Sequence, residues 1–101
     1  LKDNTEVIQK YIDHHANVWS EVTDSLKTVG ILDMKIYILG CRLFMFCEVT
    51  DSFEPAADFP RYLTLSPKCQ EWEDLMTTFQ EPVKEASEGE KWAQMKQIFQ
   101  L

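Results

Sequence analysis

Three side chains that can do chemistry recur at four-residue steps near the start of the chain: Tyr11, His15 and Trp19. If this segment is helical, that spacing places all three on one face. An imidazole titrates near neutral pH, a phenol can donate a hydrogen bond, and an indole can stack on the apolar face of a sugar ring. However, His15 also lies on the apolar stripe of the predicted helix, where hydrogen-bonded core histidines are common. The spacing alone therefore leaves both roles open.

Other catalytic constellations are missing from the sequence. It contains no glycine-rich phosphate loop and no serine nucleophile elbow. The two histidines are His14 and His15. Neighbouring side chains on a helix point about 100° apart, so they form a poor metal-binding pair, and we expect His14 on the solvated surface. These observations disfavour a metal enzyme and a serine hydrolase.

Composition and charge narrow the class of protein further. The 101 residues are 45% hydrophobic and 27% charged, which predicts one globular domain over residues 1–101. The net charge of −7 disfavours binding to nucleic acids and to anionic membranes, because phosphates would be repelled. No apolar run approaches the ~18–20 residues that cross a bilayer. With no secretory signal and three cysteines that form no CxxC pair (Cys41, Cys47 and Cys69), we expect reduced core thiols in a cytoplasmic protein.

Hydrophobic periodicity predicts five elements. A helix over Asp3–Val29 begins with an Asp3/Glu6 capping box and ends at Gly30, with a possible break between His14 and Trp19 at which Asn17 would cap the second piece. Two strands with a type II′ turn at Gly40-Cys41 follow, then a loop, a helix capped by Ser66, a second loop and a last strand. The predicted bounds are Ile31–Leu39 and Arg42–Thr50 for the strands, Asp51–Pro60 for the loop, Ser66–Phe79 for the helix, Gln80–Glu90 for the second loop and Met95–Leu101 for the last strand.

The second predicted strand is apolar on both faces, with Leu43 and Met45 on one and Phe44 and Phe46 on the other. A layer of helices covers only one face of a sheet, so a second copy of the chain is the simplest cover for the other. The alternative is an aromatic face that stays partly exposed under the C-terminal segment. One more strand ahead of Leu1 would complete the β-α-β-β-α-β pattern of a ferredoxin-like α+β fold, and we expect the natural protein to have that strand.

The run from Tyr11 to Val22 (YIDHHANVWSEV) resembles the Y-x-x-x-H-x-x-x-W-P-E motif of the L-rhamnose mutarotase family. The similarity continues through Gly30 and the two strands, resumes at Cys69-Gln-Glu-Trp72 and ends at Ile98–Leu101, so it covers nearly the whole chain. This family is similar in being ferredoxin-like and in dimerising through its sheets as an α+β barrel. The resemblance therefore implies a homodimer.

The resemblance also implies an activity, namely interconversion of the α and β anomers of L-rhamnose without a metal or cofactor. His15 matches the family's proton donor, Tyr11 a substrate-binding hydroxyl, and Trp72 an aromatic that contacts the sugar; from pattern alone Trp72 is a core residue. Trp19 belongs to the same motif and joins the candidate sugar-binding residues. Two members of the sugar-contacting wall depart from the family: Met34 replaces a tyrosine and Glu73 a second tryptophan. A related 6-deoxyhexose is therefore an alternative substrate.

Two other functions remain open at this point. Met34 and Glu73 would also suit a sugar-binding or assembly module that kept the fold and lost turnover. A dimeric barrel of the small-oxygenase or stress-response type shares the fold, but it gives no role to the Tyr11/His15 spacing.

Overall fold

A computed structural model describes residues 1–101 as four helices and one antiparallel two-stranded sheet. The elements follow the order α1 (Thr5–Ala16), α2 (Ser20–Thr28), β1 (Ile31–Leu39), β2 (Arg42–Val49), α3 (Pro55–Tyr62) and α4 (Pro67–Thr77). The predicted α+β class is confirmed. None of the helices combines the length and the apolar character that crossing a membrane requires.

The segment predicted as one helix forms two helices, α1 and α2, in agreement with the alternative that placed a break within it. Asn4 and not Asp3 caps α1, because its side-chain oxygen accepts hydrogen bonds from the backbone N–H groups of Glu6 and Val7 at 2.9 and 3.2 Å. Asn17 ends α1, whereas the N-cap position of α2 belongs to Trp19, which offers no side-chain cap. The break therefore lies where it was predicted, but Asn17 closes one helix and does not open the next.

The hairpin forms as predicted, with β2 ending at Val49. Gly40 has a φ of +62° and no other residue of the turn has a positive φ, which agrees with a type II′ turn. A bulge between Ile31 and Asp33 adds one residue to β1. Beyond the bulge, Met34 and Ile36 face the helices, paired with Cys47 and Met45 of β2.

Helix α3 occupies a segment that we predicted to be a loop. Pro55 stands at the first helical position, where its missing N–H costs nothing. The carboxylate of Asp58 accepts a hydrogen bond from the backbone N–H of Glu54 at 2.8 Å, which caps the helix from inside its first turn. Tyr62 at the other end is buried in the core. Tertiary burial and this cap thus outweigh the cost of Pro60, the proline inside the helix.

Helix α4 begins as predicted, with the Ser66 hydroxyl accepting from the backbone N–H of Lys68 at 3.2 Å. The predicted last strand over Met95–Leu101 is wrong, because this segment has no strand partner and its side chains are exposed, with Ile98 at 89%. Alternating polarity alone does not make a strand when no neighbour supplies the ladder hydrogen bonds.

The core lies among α1, α2 and α4, with contributions from Ile31 and Tyr62. Cys69 is completely buried there, while Cys41 and Cys47 are half-buried, and all three thiols are free. The outward face of the sheet is exposed: Tyr37 retains 58%, Phe44 46% and Phe46 54% of its accessible surface.

Candidate functional site

Helix α1 brings Tyr11 and His15 together on its inward face. Their ring centroids lie 4.3 Å apart with an angle of 32° between the ring planes. Tyr11 is 3% exposed and its ring also meets the edge of Phe79, whereas His15 is half-buried. The four-residue spacing on a capped helix is sufficient to produce this pair.

The backbone sets the protonation pattern of His15. Its Nδ1 atom lies 2.8 Å from the carbonyl oxygen of Tyr11, and a carbonyl can only accept, so Nδ1 carries a proton. Nε2 makes no hydrogen bond within the chain. The imidazole can therefore accept a proton at Nε2 when neutral and donate one from the same atom when charged.

The Tyr11 phenol is held in its protonated form. Burial raises the pKa of Tyr11; a hydrogen bond from Gln80 offsets part of this rise, and the negative charge of Glu73 adds to it. Gln80 Nε2 donates to the Tyr11 oxygen at 3.3 Å. At neutral pH Tyr11 is thus a hydrogen-bond donor and a poor base.

Trp72 of α4 lies against the histidines. Its ring is edge-on to that of His15 at 5.5 Å and to that of His14 at 6.3 Å between centroids. His14 in turn stacks on Phe79 at 5.6 Å, so the expectation of a solvated His14 is wrong. The reason is that the flat imidazole of His14 fits between the rings of Trp72 and Phe79.

Trp19 lies at the start of α2, edge-on to Trp72 with 5.2 Å between centroids. The ammonium group of Lys68 sits 5.4 Å above its ring. Trp19 is not among the residues that line the two cavities beside Tyr11 and His15. Trp19 therefore packs against Trp72 without lining either cavity.

The two residues that depart from the family pattern both lie at the larger cavity. Met34 points toward the helices from β1 and packs against the core. Glu73 forms an ion pair with Lys91, whose ammonium group also donates to the Thr77 hydroxyl at 2.9 Å. This pair fastens the segment after α4 to the helix.

Tyr11 and His15 line two adjoining cavities: a smaller one between α1 and the sheet, and a larger open groove that extends to α2, α3, α4 and the segment after α4. The smaller measures about 330 Å³, a size that small-molecule sites commonly have. Apart from His15 its walls are apolar: Tyr11, Ile12, Ala16, Ile36, Ile38 and Leu43. The larger, about 1630 Å³, also reaches Met34, Trp72, Glu73 and Gln80.

The sequence does not identify Gln80 or Lys91 as residues of the site. Gln80 begins a predicted loop, and Lys91 lies outside every predicted element. Gln80 contacts Tyr11 across 69 positions of the chain, and Lys91 pairs with Glu73 from a segment without regular structure. Local sequence patterns do not predict contacts between residues so far apart in the chain. The arrangement as a whole offers an imidazole with a free Nε2 atom, a protonated phenol and an apolar wall, groups that are suited to general acid–base chemistry on a small polar molecule.

Comparison with known proteins shows the class of enzyme. Residues 1–101 match the family model described as L-rhamnose mutarotase. The chain is 37% identical over 103 residues to an L-fucose mutarotase of Xanthomonas campestris pv. campestris, covering 100% of this chain and 82% of the relative. These matches make the protein an isomerase of the aldose mutarotase class.

A second relative is a UPF0734 protein of Dictyostelium discoideum, 40% identical over 104 residues that cover 100% of this chain and 83% of that protein. The chain belongs to the L-rhamnose mutarotase family. Its helices and antiparallel hairpin agree with the ferredoxin-like fold expected for that family.

Proposed function

We propose that this chain interconverts the α and β anomers of a 6-deoxyhexose, L-rhamnose or L-fucose, by proton transfer at His15 assisted by Tyr11. The observation that carries the proposal is the hydrogen bond between His15 Nδ1 and the Tyr11 carbonyl. It leaves Nε2 as the working atom, on a residue that lines both cavities.

Mutarotation opens the pyranose ring and recloses it on the other face of the carbonyl. In the proposed mechanism, protonated His15 gives its Nε2 proton to the ring oxygen, the bond from C1 to that oxygen breaks, and water takes the proton of the anomeric hydroxyl. Rotation about the bond from C1 to C2 then presents the opposite face. Reclosure returns the proton from the sugar hydroxyl to His15, while water reprotonates the anomeric oxygen.

Tyr11 acts in this mechanism as a donor to a sugar oxygen. Its raised pKa makes it unsuited to taking the anomeric proton, so water is the better acceptor. A positioned proton donor accelerates such reactions by roughly 10²–10⁴. This range suffices for a reaction that already proceeds unaided in water, and it requires neither a metal nor a cofactor.

The apolar wall of the smaller cavity favours a deoxy sugar. L-rhamnose and L-fucose both carry a methyl group where other hexoses carry a hydroxymethyl group. Ile12, Ile36 and Leu43 can receive a methyl group but leave a hydroxyl group without a partner. The family description favours L-rhamnose and the bacterial relative favours L-fucose, so both sugars belong in the test.

We also propose that the protein works as a homodimer in a reducing compartment such as the cytoplasm. Tyr37, Phe44 and Phe46 form an exposed aromatic face on the outer side of the sheet, which a second copy would bury. The three free thiols support the reducing compartment.

Exchange NMR tests the activity directly. The signal of one anomer of equilibrated sugar is inverted and its transfer to the other anomer is followed, with L-rhamnose and L-fucose in separate samples. We expect faster transfer than in buffer for at least one of them. If the sugar changes the tryptophan fluorescence but does not speed the transfer, the protein is a sugar-binding module and not an isomerase. If folded protein shows neither response, the proposal is contradicted.

A further inference from the structure

Gln80 lies just beyond the end of α4 and borders the same cavity as Tyr11, His15 and Trp72. Its backbone N–H donates to the carbonyl of Met76 at 3.2 Å, which extends the last turn of the helix by one more bond. The side chain is thereby fixed at its base, half-buried, and directed toward α1.

The two ends of the Gln80 amide have different environments. Nε2 donates to the Tyr11 oxygen at 3.3 Å. Oε1 is buried and has no hydrogen-bond partner. Burying an unpaired carbonyl oxygen costs free energy, and groups of this kind are usually satisfied by a ligand, a water or a neighbour.

We propose that Gln80 is a positioning and specificity-determining residue of the sugar site: it turns the Tyr11 hydroxyl toward the substrate, and its free Oε1 accepts a hydrogen bond from a sugar hydroxyl. The inference rests on the proposed sugar-isomerising function and identifies a residue that distinguishes one sugar from another.

The direction of the bond to Tyr11 explains the positioning role. Because the Tyr11 oxygen accepts from Gln80, its own proton is not used in this contact and can be donated to the sugar. A single sugar hydroxyl can then accept from the phenol and donate to Gln80 Oε1. The pair therefore selects for a hydroxyl at one position of the ring, which the apolar wall of the smaller cavity cannot do.

The charged neighbours agree with this role. Glu73 is the acidic group that acts on the Tyr11 phenol, and it is itself paired with Lys91. Gln80 is the neutral group that contacts the phenol directly and lowers its pKa against the effects of burial and Glu73. Removing Gln80 should therefore move the titration of Tyr11 to higher pH.

The test compares Gln80→Met with Gln70→Met, a matched change on α4 at an exposed glutamine whose amide donates only to Asp74. The readouts are KM and kcat from exchange NMR and the ionisation of Tyr11 followed with ¹³Cζ-labelled tyrosine. For Gln80→Met we expect KM to rise about tenfold, the worth of one neutral hydrogen bond, with a smaller change in kcat and a higher Tyr11 titration midpoint. Gln70→Met should leave all three unchanged.

A Gln80→Met protein with wild-type KM and an unmoved Tyr11 titration would overturn the inference while leaving the proposed function intact. If Gln80→Met fails to fold, Gln80→Glu keeps the shape of the side chain, but its carboxylate accepts a hydrogen bond from the Tyr11 hydroxyl, which then no longer points to the sugar. This variant should raise both KM and the Tyr11 titration midpoint, and unchanged values would overturn the inference in the same way. A folded wild type that neither exchanges nor binds either sugar would instead overturn the proposed function, and the sugar contact of Gln80 with it.

Discussion

Nδ1 of His15 lies 2.8 Å from the carbonyl oxygen of Tyr11, one helical turn earlier in the chain. The same two residues are joined a second time through their side chains, whose ring centroids are 4.3 Å apart. The backbone contact fixes which nitrogen of His15 holds its proton, and the ring contact keeps the phenol beside it. One turn of helix thus supplies both the proposed proton-transferring imidazole and the phenol that donates a hydrogen bond to the sugar.

Tyr11→Phe removes the hydroxyl group but keeps the ring, so it separates the contribution of the hydroxyl from that of the ring. The ring contacts with His15 and Phe79 remain, but Gln80 loses the acceptor for its Nε2 atom. We expect the free energy of unfolding to fall by about 1 kcal/mol and anomer exchange to slow by roughly tenfold or more. Urea titration and exchange NMR measure the two effects. Tyr37→Phe, which removes a hydroxyl from the exposed face of the sheet, should change neither, and equal losses in both variants would contradict the assigned role of Tyr11.

Alkaline pH should weaken the fold through its buried tyrosines. Burial raises the pKa of Tyr62 and of Tyr11. Below about pH 10 these phenols are neutral in both the folded and the unfolded chain; above it the unfolded chain loses protons that the folded chain retains. Stability is therefore fully present below about pH 10 and falls as pH rises further, by up to about 1.4 kcal/mol per pH unit for each such tyrosine.

Urea titrations between pH 8 and pH 11 on the wild type and on Tyr62→Phe measure this dependence. The variant should show a shallower decline above pH 10, because it has one fewer proton to release on unfolding. Parallel curves for the two proteins would show that Tyr62 ionises as readily in the folded state as in the unfolded chain.

Gly30→Ala should destabilise the junction between α2 and β1. Gly30 has a φ of +110°, and a Cβ built there would lie 2.7 Å from the Thr50 hydroxyl oxygen. We expect a loss of about 2 kcal/mol or more from the combination of backbone strain and contact. Gly40→Ala is the matched control, because its φ is also positive but its Cβ would meet nothing within 4 Å; it should cost about 1 kcal/mol. If thermal unfolding shows the same loss of stability for Gly30→Ala and Gly40→Ala, the contact with Thr50 does not contribute to the effect.

The exposed aromatic face predicts how association responds to charge. Phe46→Lys replaces one of the exposed aromatic rings of that face with a second ammonium group beside Lys35, and it should shift a dimer to monomer in sedimentation experiments. Ile98→Lys changes an equally apolar exposed residue outside the sheet and should leave the mass unchanged. A wild type that is monomeric at high micromolar concentration would contradict the homodimer.

The elements that sequence predicted well are those whose signals are local. Ser66-Pro67 starts α4 because a hydroxyl cap and a proline act on the residues beside them, and Gly40 forms its turn because only the local φ matters. The Tyr11/His15 pair belongs to the same group, since helical spacing alone brings these side chains together.

The errors fall where distant contacts decide. Helix α3 forms around Tyr62, whose burial depends on partners far along the chain. The segment Met95–Leu101 alternates like a strand but has no neighbour with which to pair. His14 is covered by Phe79 from the segment after α4, and Gln80 reaches Tyr11 across 69 positions, so neither contact can be predicted from a local pattern.

The most direct test of the account compares anomer exchange by His15→Ala with exchange by His14→Phe. His14→Phe removes the neighbouring imidazole but keeps a flat ring between Trp72 and Phe79, so it controls for packing. In folded proteins, we predict that His15→Ala loses roughly 10² or more of the acceleration while His14→Phe retains it. Full exchange by His15→Ala would contradict the central claim that the Nε2 atom of His15 carries the proton.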